Sequence, residues 1–153
     1  GHKVVGDMEI IVATGNRAEV FIVPHTVLDV FMKTQGKRSP YCLGLYVGDI
    51  IDDEFLLGIE GATLCSPYTT RKVRVSDKGE QAVLYGRDVN SALIKDFPSI
   101  IRKGEKILVI NVFDETMAIG KALVDGEEFS ALPKEKVAVK NILDRGWYLR
   151  KGT

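Results

Sequence analysis

Short apolar segments, separated by turn residues at intervals of about ten positions, constrain the fold of this 153-residue chain more than any other feature. Val, Ile and Leu dominate these segments, as in Ile107–Val112, and β-branched residues favour strands. None of the segments approaches the roughly 20 apolar residues that a membrane-spanning helix needs. Hydrophobic residues make up 45% of the chain, which is enough for a packed core. The pattern predicts an α+β protein with many short strands.

A hairpin and a helix are predicted near the start of the chain. Glu9–Ala13 and Glu19–Val23 flank a run of turn residues, so they pair as strands, and Pro24 closes the hairpin. Thr26 is a suitable N-cap for a helix that ends at Gly36. No apolar leader segment is visible at the start, so we expect no signal peptide and a cytoplasmic protein.

A second strand pair is predicted before the middle of the chain. Leu43–Ile51 and Glu54–Ile59 are largely apolar and flank Asp52-Asp53, two residues that suit a tight turn. Glu60–Cys65 then predicts a short helix. The first half therefore combines two strand pairs with two helices.

The second half is predicted to be mostly β with one early helix. Arg71–Val75 alternates polar and apolar residues, as a half-buried strand does. Ser76 can cap the next segment, and Gly79–Tyr85 forms a short helix that Gly86 ends. Further strands are predicted over Ile107–Val112, Met117–Val124 with a bulge at Gly120, Lys136–Ile142 and Trp147–Leu149.

The charge balance supports a division into two domains. Residues 1–70 carry five Lys/Arg and nine Asp/Glu, whereas residues 71–153 carry 16 and 12. The sign changes where Ser66–Thr70 breaks the pattern of strands, so we place the domain boundary between 70 and 71. The positive excess of the second domain suits an anionic partner such as nucleic acid, although an ordinary solvated surface gives the same counts.

Residues that could catalyse a reaction or hold a metal are few and isolated. His25 follows Pro24 just before a predicted helix, which suits a surface or capping role better than a catalytic triad. Cys42 and Cys65 stand alone and are expected in the core, and the acidic turn Asp52–Glu54 lacks the spacing of a metal site. Walker and Gly-x-Gly-x-x-Gly motifs are absent. We therefore expect a binding module rather than an enzyme, with no cofactor and no metal.

Basic residues in the second half give the strongest functional signal. In the strand predicted at Arg71–Val75, Lys72 and Arg74 share one face and Arg71 points the other way, with Lys78 just beyond. Near the end, Trp147 and Tyr148 stand among Lys140, Arg145, Arg150 and Lys151. Basic groups beside exposed aromatic rings suit phosphate contacts and base stacking. The alternative is that both rings pack into the core and the cations are solvated.

Several motifs of the second half resemble the PUA domain, the RNA-binding module named after pseudouridine synthases and archaeosine transglycosylases. They occur in the expected order as Gly86–Val89, Arg102–Asn111 and Ala118–Leu123. Val124–Phe129 and Val137–Lys140 are especially similar to the C-terminal PUA domain of archaeosine tRNA-guanine transglycosylase. The resemblance covers residues 71 to about 150.

The rest of the chain resembles proteins that have a pre-PUA unit before this domain. Residues 18–70 are similar to such a unit, and Glu80–Gly86 and Asp144–Arg150 resemble the Nip ribosome-biogenesis factor of archaea and eukaryotes, which has this two-domain layout. The catalytic barrel and zinc cysteines of the transglycosylase have no counterpart here. Its enzymatic activity is therefore not implied.

The resemblance implies both a fold and an RNA-binding surface. Residues 71–153 would form a small, mostly antiparallel β pseudo-barrel with a helix at its side. PUA domains hold RNA with the first helix, the strand after it and a late strand, which here carry Lys78, Gly86, Arg87, Asp88, Lys136 and Lys140. Combined with the charge pattern, the predicted RNA-binding residues are Arg71, Lys72, Arg74, Lys78, Gly86, Arg87, Lys136, Lys140 and Arg145.

These observations predict a non-enzymatic protein that binds structured tRNA or rRNA, in RNA modification or ribosome biogenesis. The acidic first domain is the expected platform for a catalytic or ribosome-assembly protein. Two alternatives stay open: an accessory subunit of a tRNA-modifying enzyme, and a protein-interaction module whose PUA surface no longer binds RNA. An independent enzyme would need a convergent set of catalytic groups, which the sequence lacks.

Overall fold

The computed structural model describes residues 8–24, 33, 44–147 and 150. The chain divides into two compact units, Gly1–Cys65 and Ser66–Thr153, so the division falls slightly before the domain boundary expected between 70 and 71. The helix predicted after Thr26 lies outside the described residues, as do His25, Cys42, Tyr148 and Lys151.

A four-stranded antiparallel sheet forms most of the described part of the first unit. Its strands are β1 (Met8–Thr14), β2 (Ala18–Pro24), β3 (Leu45–Ile51) and β4 (Glu54–Leu57), in that order across the sheet. Asp52 and Asp53 join β3 to β4 with φ angles of 51° and 62°, which is type I′ turn geometry. Helix α1 (Ile59–Cys65) follows. Both predicted hairpins and the short helix are confirmed.

A six-stranded sheet forms the second unit. Its strands are β5 (Lys72–Val75), β6 (Val89–Asn90), β7 (Ile94–Asp96), β8 (Lys106–Ile110), β9 (Thr116–Ala122) and β10 (Val137–Asp144). They lie in the order β6-β10-β9-β8-β5-β7, and every pair is antiparallel except β5 with β8. Helix α2 (Asp77–Leu84) follows β5, and short 3₁₀ turns occur at Ser66–Tyr68, Ser91–Leu93 and Gly126–Ala131. This arrangement confirms the predicted α+β fold class.

Apolar side chains of α2 and of the sheet form the core of the second unit. Strand β5 alternates as predicted: Val73 and Val75 are fully buried, and Lys72 and Arg74 are half-buried. Val83 of α2, Val89 of β6 and Val139 of β10 belong to the same buried cluster. Burial of these side chains stabilises the position of α2 against the sheet.

Helix α2 begins two residues before the predicted start. The Oγ of Ser76 accepts a hydrogen bond from the N–H of Gly79 at 3.2 Å, so Ser76 is the N-cap, as the sequence predicts. Asp77 and Glu80 lie in the first turn, where negative charge interacts favourably with the helix dipole. The capping residue was therefore predicted correctly, but the predicted helix left out Asp77 and Lys78, the first two residues of α2.

Three predictions about the second half and the end of α1 are wrong. Trp147, predicted to begin a strand, is helical, and the N–H of Arg150 donates to the carbonyl of Gly146 at 3.1 Å. Gly120 is not itself a bulge residue, because it pairs with both Ile107 and Asn141; the unpaired residues of the register shifts are Ile142 in β10 and Met117 in β9. Cys65 is exposed at the end of α1 rather than buried in the core. In the part of the chain that the structure describes, no helix is long and apolar enough to cross a membrane.

Candidate nucleic-acid interface

The turn that follows α2 is the centre of the candidate site. Gly86 has a φ of 81°, and the N–H groups of Gly86 and Arg87 donate to the carbonyls of Val83 at 2.8 Å and Ala82 at 3.0 Å. This pair of bonds is the Schellman motif, which needs a residue in the left-handed region and so favours glycine. Gly86 and Arg87 are both exposed, so the turn presents its backbone and a guanidinium group to solvent.

An aromatic ring and a cation flank this glycine. The side chain of Tyr85 is 72% exposed, and the Cζ atom of Arg87 lies 6.0 Å from the centre of its ring. A ring and a guanidinium group at this distance attract each other. Sequence reasoning missed Tyr85, whose position directly before a helix-ending glycine was the available signal. Together these side chains can stack on a base and contact a phosphate.

Asn141 of β10 ties this turn to the sheet. Its Nδ2 donates to the carbonyls of Val83 at 3.0 Å and Arg87 at 3.2 Å. Its backbone N–H donates to Oδ1 of Asp88 at 2.9 Å. These hydrogen bonds hold the backbone of Arg87 in one position relative to β10, while its side chain remains exposed.

Arg150 braces the same turn from the other side. Its two terminal nitrogens donate to the two carboxylate oxygens of Asp144, each at 2.9 Å, and Nη1 also donates to the carbonyl of Leu84. Asp144 is only 3% exposed. The hydrogen bonds with Asp144 raise the pKa of the Arg150 guanidinium above its ordinary value, against an opposing effect of desolvation. A Cβ at Gly86 would come within 2.8 Å of Nη2 of Arg150, so the guanidinium stands directly beside the glycine.

Four of the nine predicted RNA-binding residues bond within the protein. Arg71 forms an ion pair with Glu105 at 2.9 Å, and Lys72 donates a hydrogen bond to the carbonyl of Ser66 at 2.9 Å. Arg74 donates to the carbonyl of Asn111 at 3.0 Å and forms an ion pair with Asp114. Arg145 donates to the carbonyl of Thr116. An RNA phosphate would compete with these contacts. Their visible role is to connect strands and loops of the second unit.

The other three predicted cations are exposed and separate from one another. Lys78 lies in the first turn of α2, about 12 Å along the helix from Gly86. Lys136 precedes β10, where its carbonyl accepts the N–H of Ser91 at 2.9 Å. Lys140 precedes Asn141 in β10 and projects from the opposite face of the sheet. The structure therefore brings Gly86 and Arg87 together and places Lys140 elsewhere.

Groups suited to metal binding do not converge in residues 8–24, 33, 44–147 and 150: no three His, Cys, Asp or Glu side chains there come together. Trp147, whose environment the sequence left open, is 40% exposed.

Comparison with known protein families identifies the second unit. Residues 71–153 match the family model of the UPF0113 PUA domain. A UPF0113 protein of Archaeoglobus fulgidus is 30% identical over 141 residues, which cover 92% of this chain and 78% of that protein. A tRNA-guanine(15) transglycosylase of Methanothermobacter thermautotrophicus is 32% identical over 98 residues, but the match covers only 15% of its length.

A solved structure supports the fold over nearly the whole chain. A hypothetical protein from the archaeon Pyrococcus horikoshii superposes with a TM-score of 0.62 at 20% sequence identity, covering 97% of this chain and 83% of that one. At this identity the likeness concerns the fold alone.

Proposed function

The chain belongs to the UPF0113 PUA-domain family, and on that basis we propose that it is an RNA-binding protein without catalytic activity of its own. It contacts structured tRNA or rRNA and serves RNA modification or ribosome biogenesis. One relative bears the name of an enzyme that acts on tRNA, which favours tRNA. The match covers a small part of that enzyme, so the enzyme's activity is not part of the proposal.

The exposed turn after α2 is the observation that carries the proposal. A base released from pairing stacks on the exposed ring of Tyr85, and a neighbouring phosphate binds the guanidinium of Arg87. Gly86 contributes by ending α2, so that Arg87 projects from an exposed turn, while the Arg150 guanidinium fills the space beside the glycine. Lys78 and Lys136 are further exposed cations of the same unit, and each adds to its attraction for an anionic partner.

Asp88 is the carboxylate that could oppose phosphate binding next to Arg87. Its Oδ1 accepts the backbone N–H of Asn141, so part of its charge is directed into the protein. Arg87 makes no ion pair with a residue that the structure describes. Its charge is therefore available to an external anion.

Fluorescence anisotropy with labelled tRNA tests the proposal. We expect Arg87→Ala to weaken binding and to lower the slope of log K against log salt by about one. Arg102→Ala is the matched control, because Arg102 is an exposed arginine of the same unit whose closest carboxylate oxygen, on Glu127, is 3.7 Å away. Absence of wild-type binding at low salt, or equal effects of the two substitutions, would contradict the proposal.

The first unit favours a protein contact as its part in this function. Its residues include more acidic than basic side chains, and apolar side chains such as Ile10, Val12 and Phe55 are exposed on its sheet. These features suit the alternative in which the chain is an accessory subunit of a tRNA-modifying enzyme. Recovery of one catalytic chain in stoichiometric amounts with the tagged protein would favour that alternative, and recovery of the protein alone would count against it.

A further inference from the structure

Three exposed lysines lie side by side across the sheet of the second unit. The register pairs Lys106 of β8 with Lys121 of β9, and Lys121 with Lys140 of β10. Residues directly opposite each other in antiparallel strands project from the same face, with Cα atoms about 4.5–5.5 Å apart. The three side chains therefore form a line about 10 Å long, which we call the lysine row.

Cations in directly opposed positions repel each other, so a sheet normally alternates them with carboxylates. Here the next residues on the same face of β8 and β9 are Leu108 and Ile119, which are apolar and buried. Lys121 and Lys140 make no ion pair with any residue that the structure describes. An anion from outside the chain would relieve the repulsion between Lys121 and Lys140, because it can sit between their ammonium groups.

The lysine row is distinct from the turn after α2. Val139 is buried in the core, and Asn141 bonds to the turn, so Lys140 between them points to the other face. The strand beyond β10 is β6, which has only two residues. It pairs only with Val137 and Val139 of β10, so it does not cover β10 beside Lys140 on the face of the lysine row.

We propose that the lysine row binds the phosphate backbone of the same RNA, as a second region of contact. A line of evenly spaced cations matches the regularly spaced charges of a nucleic-acid backbone, and lysine binds phosphate as a point charge without reading sequence. This inference rests on the proposed RNA-binding function. It adds Lys106 and Lys121 to the surface and gives Lys140 a different role from that of Arg87.

Salt titrations of tRNA binding by single-site variants test this inference. Lys121→Gln removes the central charge, and Lys95→Gln removes an exposed lysine on β7 at the far edge of the sheet. We expect Lys121→Gln to lower the log–log salt slope by about one, which makes its relative loss of affinity about sixfold larger at 50 mM than at 300 mM salt. Lys121→Arg keeps the charge and should retain the slope. Lys95→Gln should behave as wild type.

The outcomes separate this inference from the function on which it rests. If Arg87→Ala weakens binding but Lys121→Gln matches Lys95→Gln, the lysine row does not bind RNA and the proposed function stands. If wild type does not bind tRNA or rRNA fragments at low salt, the proposed function itself is overturned. Lys140→Gln removes the charge at another position of the lysine row and should change the salt slope by the same amount as Lys121→Gln.

Discussion

Replacing Gly86 with alanine tests the constraint on the turn that supports Arg87. The φ of 81° disfavours a residue with a Cβ, which alone should lower the free energy of unfolding by about 1–2 kcal/mol. The new Cβ would also lie 2.8 Å from Nη2 and 3.0 Å from Cζ of Arg150. Arg150 must then move away from the buried Asp144 carboxylate, so the total loss should exceed the backbone contribution.

Gly104 provides the matched reference for this substitution. Its φ is 91°, and no atom of the described residues lies within 4 Å of a Cβ built there. Gly104→Ala should therefore lower the free energy of unfolding by the backbone contribution alone, about 1–2 kcal/mol. Gly86→Ala should lower it by more. The measurement is urea unfolding of both variants.

A double-mutant cycle isolates the contact with Arg150. In an Arg150→Ala background, Gly86→Ala should cost no more than Gly104→Ala, because the displaced group is gone. Equal losses for the two glycine variants, or an unchanged cost of Gly86→Ala without Arg150, would refute the reasoning.

Three further substitutions have expected outcomes. Ser76→Ala should lower the free energy of unfolding by about 1 kcal/mol, because it removes the N-cap acceptor; an unchanged urea midpoint would mean that the cap contributes nothing. Asn141→Ala should lower it by about 1–2 kcal/mol through two lost side-chain bonds and should also weaken tRNA binding, so intact binding would show that the turn needs no support. Lys121→Gln should raise the free energy of unfolding at low salt by about 0.2–1 kcal/mol, because it removes the repulsion between opposed lysines. The gain should vanish near 1 M salt, where this repulsion is screened; a gain that persists there would show that it is not electrostatic.

Local patterns were enough to predict the elements whose causes are local. The alternation in β5 predicted which residues are buried, because Val73 and Val75 recur with the period of a strand. The turn at Asp52-Asp53, the cap at Ser76 and the helix end at Gly86 each depend on one or two residues. In contrast, β6 and β7 have two and three residues, too few to show any period.

Contacts between distant residues could not be predicted in the same way. Arg74 and Arg145 stood out as cations, but they bond to carbonyls 37 and 29 residues away, and these bonds depend on which strands pair. Asn141 reaches Val83 across 58 residues. The sequence did not predict that Lys106 and Lys121 lie side by side, because their proximity depends on the register of β8 with β9.

The salt dependence of wild-type binding to tRNA and to rRNA fragments tests the central claim most directly. If five or six cations of the second unit contact phosphates, and each contact contributes about −0.7 to −0.9, the log–log slope should be about −3.5 to −5.5. Such a slope, reduced by Arg87→Ala and unchanged by Arg102→Ala, is the predicted result. Undetectable binding at 50 mM salt, or binding that does not respond to salt, would contradict the claim that this chain is an RNA-binding protein.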